Sequence, residues 1–146
     1  MGNVYEFATG VAEVTTATAT VTANAHRGLP VVVNRAAGCA LTLPAATGSG
    51  DEYEFIGAAD ASGNQVIQVV GDDTMAGVAY LGNDSAGASC FYTGATSDTI
   101  TLNGTTTGGL KGWRVKVLDI AADTWAVMVF SEASGTEATP FSAAVS

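Results

Sequence analysis

The chain has 146 residues, 5 basic and 14 acidic, for a formal net charge of -9. That length is one domain able to bury its own core, and that sign disfavours nucleic acid and anionic membrane surfaces, which call for basic residues. Charged residues are only 13% of the chain, about half the usual share, while hydrophobic residues are 47%. The surface is therefore short, uncharged and flat, as in proteins that pack against copies of themselves or a partner.

The N-terminus, Met1 to Phe7, lacks a basic start followed by an apolar run, so no signal peptide is expected. No stretch approaches 18 apolar residues, so no membrane span is expected. Residues 1–28 are read as an N-terminal arm plus a first strand, and 29–146 as the main β domain. Tyr5 and Phe7 on the arm are candidate contact anchors. From Glu13 to Asn24, Ala17, Ala19, Val21 and Ala23 alternate with Thr16, Thr18, Thr20 and Thr22. This period of two predicts one strand with a small apolar face and a hydroxyl face. His26, Arg27 and Gly28 read as a turn.

Pro30 opens a strand through Val33, because proline starts a strand but does not sit in its middle. Ala40 to Leu43 is a short strand ended by Pro44, and Ala45 to Gly50 a small-residue loop. Strands are expected at 53–57, 66–70, 75–81 and 89–92, separated by turns rich in Gly, Asp and Asn. Residues 96–130 are read as three consecutive antiparallel strands. In the second, Trp113, Val115 and Val117 share one face, and Arg114, Lys116 and Leu118 the other. In the third, Trp125, Val127 and Val129 oppose Ala126, Met128 and Phe130. A strand apolar on both faces should be central, or covered by a partner. Turn signals every 8–12 residues predict an all-β fold. It is expected to be an antiparallel β-sandwich or jelly-roll-like barrel of about nine to eleven short strands. No fixed period stands out, which argues against a solenoid.

Cys39 and Cys90 are read as two small buried hydrophobes, with a bridge between them as the alternative. The single histidine, His26, has no nucleophile and orienting group in sequence context. Asp60, Ser62 and Asn64, and the pair Asp72-Asp73, are oxygen-rich loops without an EF-hand ligand set. Glu52 and Glu54 share a strand face and read as solvated rather than as a glycosidase pair. No catalytic residue, cofactor or metal is expected.

Four stretches carry a resemblance: Thr42 to Gly50, Ser97 to Gly112, Asp119 to Val127 and Gly135 to Ser142. They resemble the head decoration, or cement, proteins of tailed bacteriophages, in a match that spans about residues 29–142. The resemblance implies a β-rich virion subunit, assembled in the host cytoplasm and seated on the outer capsid surface. It implies trimers at local three-fold positions, with the major capsid protein as partner and no catalytic residue to carry over. Tyr5, Phe7, His26, Arg27, Phe130 and Phe141 are the residues expected at a capsid or subunit interface. The competing expectation is a head-fibre or tail-fibre domain that binds a host surface glycan or protein.

Overall fold

The computed structural model describes residues 10–145. Two β-sheets face each other. The larger runs, in spatial order, β1 (Ala12–Val14), β3 (Pro30–Val33), β5 (Glu52–Gly57), β10 (Arg114–Ala121), β11 (Thr124–Glu132), β7 (Thr74–Asn83) and β8 (Gly87–Tyr92). The smaller runs β12 (Phe141–Ser142), β9 (Thr99–Leu102), β6 (Gln65–Gln68), β4 (Cys39–Thr42) and β2 (Thr18–Thr20). A four-residue helix, α1 (Ala23–His26), joins β2 to β3. The fold is an all-β sandwich, as expected, with twelve strands among the described residues.

The strand pairing differs from the antiparallel expectation. Strands β1, β3 and β5 pair in parallel, and so do β2, β4 and β6 in the facing sheet. From β1 to β6 the chain changes sheet after every strand. Each return to a sheet is therefore made in the same direction, with a strand of the opposite sheet as the crossover that parallel pairing requires. These six strands form three winding turns, in which Ala12, Val31 and Phe55 line up in one sheet and Thr18, Ala40 and Val66 in the other. The spacing changes from turn to turn, so no sequence repeat records the winding.

The second half reverts to hairpins. Strands β7–β8 and β10–β11 are antiparallel neighbours, and β10 closes antiparallel onto β5. Strand β11 then pairs in parallel with β7. It is central, as its two apolar faces predict. Strand β9 is not the first member of a three-strand meander: it lies in the other sheet between β6 and β12. The loop after it carries the chain across the sandwich. There Asn103 Oδ1 accepts from Thr105 N–H and Thr107 N–H, and Gly104 N–H donates to Gly108 O. Gly104 (φ +85°) has no room for a Cβ against the Ala61 carbonyl, so only glycine fits that crossing.

The expected single strand at 13–24 is also divided. The chain leaves the larger sheet after Val14 and enters the smaller one at Thr18. Alternation survives locally: Val14 and Val21 are buried while Thr18 and Thr20 are exposed. Thr22 leaves the strand pattern to cap α1, its hydroxyl accepting from Ala25 N–H.

One core fills the space between the sheets. The larger sheet gives Val31, Tyr53, Phe55, Val115 and Trp125; the smaller gives Leu41, Ile67, Ile100 and Leu102. Each such side chain contributes roughly 1.5–3 kcal/mol on burial. Trp113 lies against Gly57, where any Cβ would collide with the indole. Cys39 is part of this core, and burial pushes its thiol up.

Candidate functional site

Side chains alternate across a strand, so each outer row of the larger sheet can be read from the register. One row is Glu13, Val32, Ile56, Arg114, Phe130, Tyr80 and Cys90. The next is Pro30, Glu54, Lys116, Met128, Val78 and Tyr92. A third is Glu52, Leu118, Ala126 and Ala76. The face thus divides into a charged half over β5 and β10 and an apolar half over β11, β7 and β8.

The charged half is a ladder of cross-strand ion pairs. Arg114 reaches Glu54 at 3.1 Å, and Lys116 reaches Glu52 at 3.4 Å and Glu54 at 3.7 Å. Glu52 and Glu54 are thus engaged with cations on an open strand face, in keeping with their reading as solvated residues. A shallow hollow of about 380 Å³ lies over Gly28, Leu29, Pro30, Glu52 and Glu54.

The apolar half is more unusual. Tyr80 and Phe130 stack with ring centroids 5.4 Å apart and planes 14° from parallel. Both rings remain more than 40% exposed, as does Met128, and Tyr92 is 73% exposed. A second hollow, about 170 Å³, is lined by Leu118, Ala126 and Met128 together with Lys116 and Glu52. Five of the seven large hydrophobic residues exposed in the described chain (Tyr80, Tyr92, Ile120, Met128, Phe130) lie on this sheet's outer face or at its end. An exposed apolar patch of this kind marks an interaction surface. Aromatic rings and methionine are also the side chains enriched at interface centres.

Of the expected interface residues, Phe130 sits at the centre of this patch. Arg27 caps α1 and pairs with Asp51 at 3.0 Å, immediately before β5. The Asp51 hydrogen bond and charge hold its guanidinium above the ordinary value. His26 ends α1 half-buried, its Nδ1 accepting from Thr22 N–H at 3.0 Å. These two residues stand at the β5 end of the charged half and do not join Phe130. Phe141 is a correction: it is 7% exposed, pairs opposite Ile100 and belongs to the core. Strand β12 docks its segment onto the smaller sheet, beside β9. Tyr5 and Phe7 lie outside the described residues.

Tyr80, Tyr92 and Met128 were missed as site residues. The signal available was the double apolarity of 125–130, which covers Met128 as well as Phe130; Tyr80 comes beside Phe130 only through the parallel β11–β7 pairing, and Tyr92 joins through the antiparallel β7–β8 pairing. Cys90 also departs from expectation. It is exposed on β8 beside Tyr80, free, and far from the core environment of Cys39.

Three acidic side chains serve the scaffold. Asp119 is 3% exposed. Burial pushes its carboxyl up, but hydrogen bonds from Thr47, Ser49 and Gly48 outweigh this and hold it at about 2. It thereby fastens the 47–49 loop to β10. Asp73 accepts from Ala46 N–H, and Asp60 from Lys111 N–H. Among the described residues no group of three or more His, Cys, Asp or Glu side chains is placed to hold a metal ion.

The chain matches no protein-family model, no curated protein and no solved structure.

Proposed function

We propose that this chain is a non-enzymatic virion structural protein that decorates and stabilises the outer surface of a tailed-phage capsid. It acts as trimers at local three-fold positions, with the major capsid protein as partner. The observation that carries the reading is the two-layered sandwich that displays one aromatic and methionine-bearing patch, Tyr80, Phe130, Met128 and Tyr92, on its larger sheet. The low charge content of 13% favours the same conclusion, because a surface this poor in charge suits close packing.

The mechanism is mechanical. Each 1,000 Å² of apolar surface buried against the shell is worth on the order of 25 kcal/mol gross, of which association costs remove most. A subunit that binds only the expanded lattice stabilises that lattice by mass action.

The test is co-sedimentation of the purified chain with mature, undecorated heads and with unexpanded procapsids. Saturable pelleting with mature heads alone is expected. Absence of binding to both would remove the capsid reading. A second reading, a head-fibre or tail-fibre domain binding a host surface glycan or protein, is favoured for a glycan by the exposed stacked pair Tyr80–Phe130, since aromatic faces receive sugar rings. Glycan binding without head binding would select it.

A further inference from the structure

Among the described residues, strand β8 is a sheet edge of a different kind from the other three. The edges β1, β2 and β12 are three, three and two residues long. Brevity is one of the ordinary protections of an edge. Strand β8 has six residues, Gly87-Ala88-Ser89-Cys90-Phe91-Tyr92, with no proline, no charge and no register shift against β7. Its own residues therefore lack the usual guards in a chain that carries -9 overall; on the core side of the strand, Ser89 Oγ donates to Glu137 Oε2 at 3.5 Å.

The direction of its free main-chain groups follows from the ladder. Thr93 N–H donates to Gly77 O across the β7–β8 pair at 3.1 Å. Main-chain groups of alternate residues point to alternate sides. Phe91 and Ser89 therefore face β7, whereas Tyr92, Cys90 and Ala88 direct N–H and C=O outward. The side chains of these three residues are exposed.

Side-chain size also rises along the strand, from Gly87 and Ala88 to Phe91 and Tyr92. An antiparallel two-fold pairing of two such strands centred on Cys90 matches large to small throughout. Tyr92 falls opposite Ala88 of the second copy, Phe91 opposite Ser89, and Cys90 opposite Cys90. In that register the outward N–H and C=O groups of Ala88, Cys90 and Tyr92 all meet partners. A shift by one residue would place core-facing side chains on the outer face. A shift that centred the pairing on Ser89 would bring in Ala86, which has left the strand at φ +67°.

We propose that β8 is a self-pairing edge whose occupant is β8 of a second copy of this chain, joined about a two-fold axis at Cys90. The pairing joins the two larger sheets into one and makes the two Tyr80–Phe130 patches continuous. Its footprint is about 20 Å of strand by about 20 Å of sandwich depth, or ~400 Å² per copy. A standard stable interface needs about 800 Å² per partner. The contact is thus weak and concentration-dependent in solution, and gains strength where copies are held side by side. It is independent of the capsid reading and of any three-fold contact, because it uses only the β8 edge.

The test is the mass of the free chain by light scattering in reducing buffer, from about 10 µM to about 1 mM. The wild type is expected to approach twice the mass of Cys90→Lys and of Ala88→Lys, whose charges guard the edge at exposed positions. Circular dichroism confirms that both variants are folded. Equal masses across the range would overturn the proposal. Cysteine cross-linking under oxidised glutathione reads the register. Wild-type chains should link through Cys90, and a mixture of Ala88→Cys/Cys90→Ser with Tyr92→Cys/Cys90→Ser should link as heterodimers. Ala88→Cys/Cys90→Ser alone should not, because its two thiol positions lie about 14 Å apart along the strand. Efficient linking of that variant to itself would overturn the Cys90-centred register.

Discussion

The two outer faces of the sandwich are built by the same alternation and carry different chemistry. On the smaller sheet the outward rows are Thr18, Ala40, Val66 and Thr101, then Thr20, Thr42 and Gln68, the second row ending at a covered Thr99. These rows contain no charge and no aromatic ring. On the larger sheet the outward rows pass from the Glu52–Lys116 and Glu54–Arg114 ion pairs to Met128, Phe130, Tyr80 and Tyr92. Both faces cover the same core, so stability does not require the difference. A threonine-rich face is already compatible with β structure. The aromatic half of the larger sheet is the surplus, and a surplus of exposed apolar area points to a partner.

Substitutions beneath and upon the two faces should separate scaffold from surface. The largest effect is expected under both. Trp125→Ala removes a fully buried indole that sits 6.1 Å from the Tyr53 ring and should cost about 3–5 kcal/mol in a urea titration. Both faces would lose their support together. An Asp119→Asn chain should lose about 2 kcal/mol at neutral pH, because an uncharged acceptor replaces the carboxylate that holds the 47–49 loop.

The same residue sets an acid dependence. Its folded value of about 2 lies below its ordinary value of 3.8. The group therefore contributes stability that is fully present above about pH 4 and is lost as pH falls toward 2. Denaturant titrations across that window should show the wild type losing more stability than Asp119→Asn. Equal loss would show that the loop does not report on this carboxylate.

Smaller stability effects should accompany changes on the faces themselves. Tyr80→Ser with Phe130→Ser removes the stacked pair and should change stability by no more than about 1 kcal/mol, since both rings are partly exposed. Its effect on head binding should exceed tenfold. The matched pair Thr20→Ser with Thr42→Ser on the smaller sheet should leave head binding unchanged. Smallest of all, Lys116→Ala should alter stability by about 0.5 kcal/mol or less, because its ion pairs are solvent-exposed.

The comparison also shows which features the residues announced. Alternation set Trp113, Val115 and Val117 on one face of their strand and Trp125, Val127 and Val129 on one face of theirs, and the structure buries all six. Two apolar faces on 125–130 announced a central strand, and β11 is central. What alternation does not encode is which strands pair. The three winding turns of β1 to β6 were hidden because the loops between them differ in length, so equivalent residues never recur at a fixed interval. The Thr/Ala stretch at 15–20 could not mark its own change of sheet, since small and hydroxyl side chains suit either sheet. The same ignorance of pairing hid the patch. Phe130 was legible as an apolar residue on a doubly apolar strand, but Tyr80 belongs to a segment far from it in sequence. Only the parallel β11–β7 register brings the two rings together.

The measurement that bears most directly on the central claim is a parallel co-sedimentation of wild type, Tyr80→Ser/Phe130→Ser and Thr20→Ser/Thr42→Ser with mature heads. If the aromatic face is the contact, the wild type and the threonine pair saturate the heads at equal stoichiometry and the aromatic pair stays in the supernatant. If the aromatic pair binds as the wild type does while its fold is intact, the face does not contact the shell and the account is wrong.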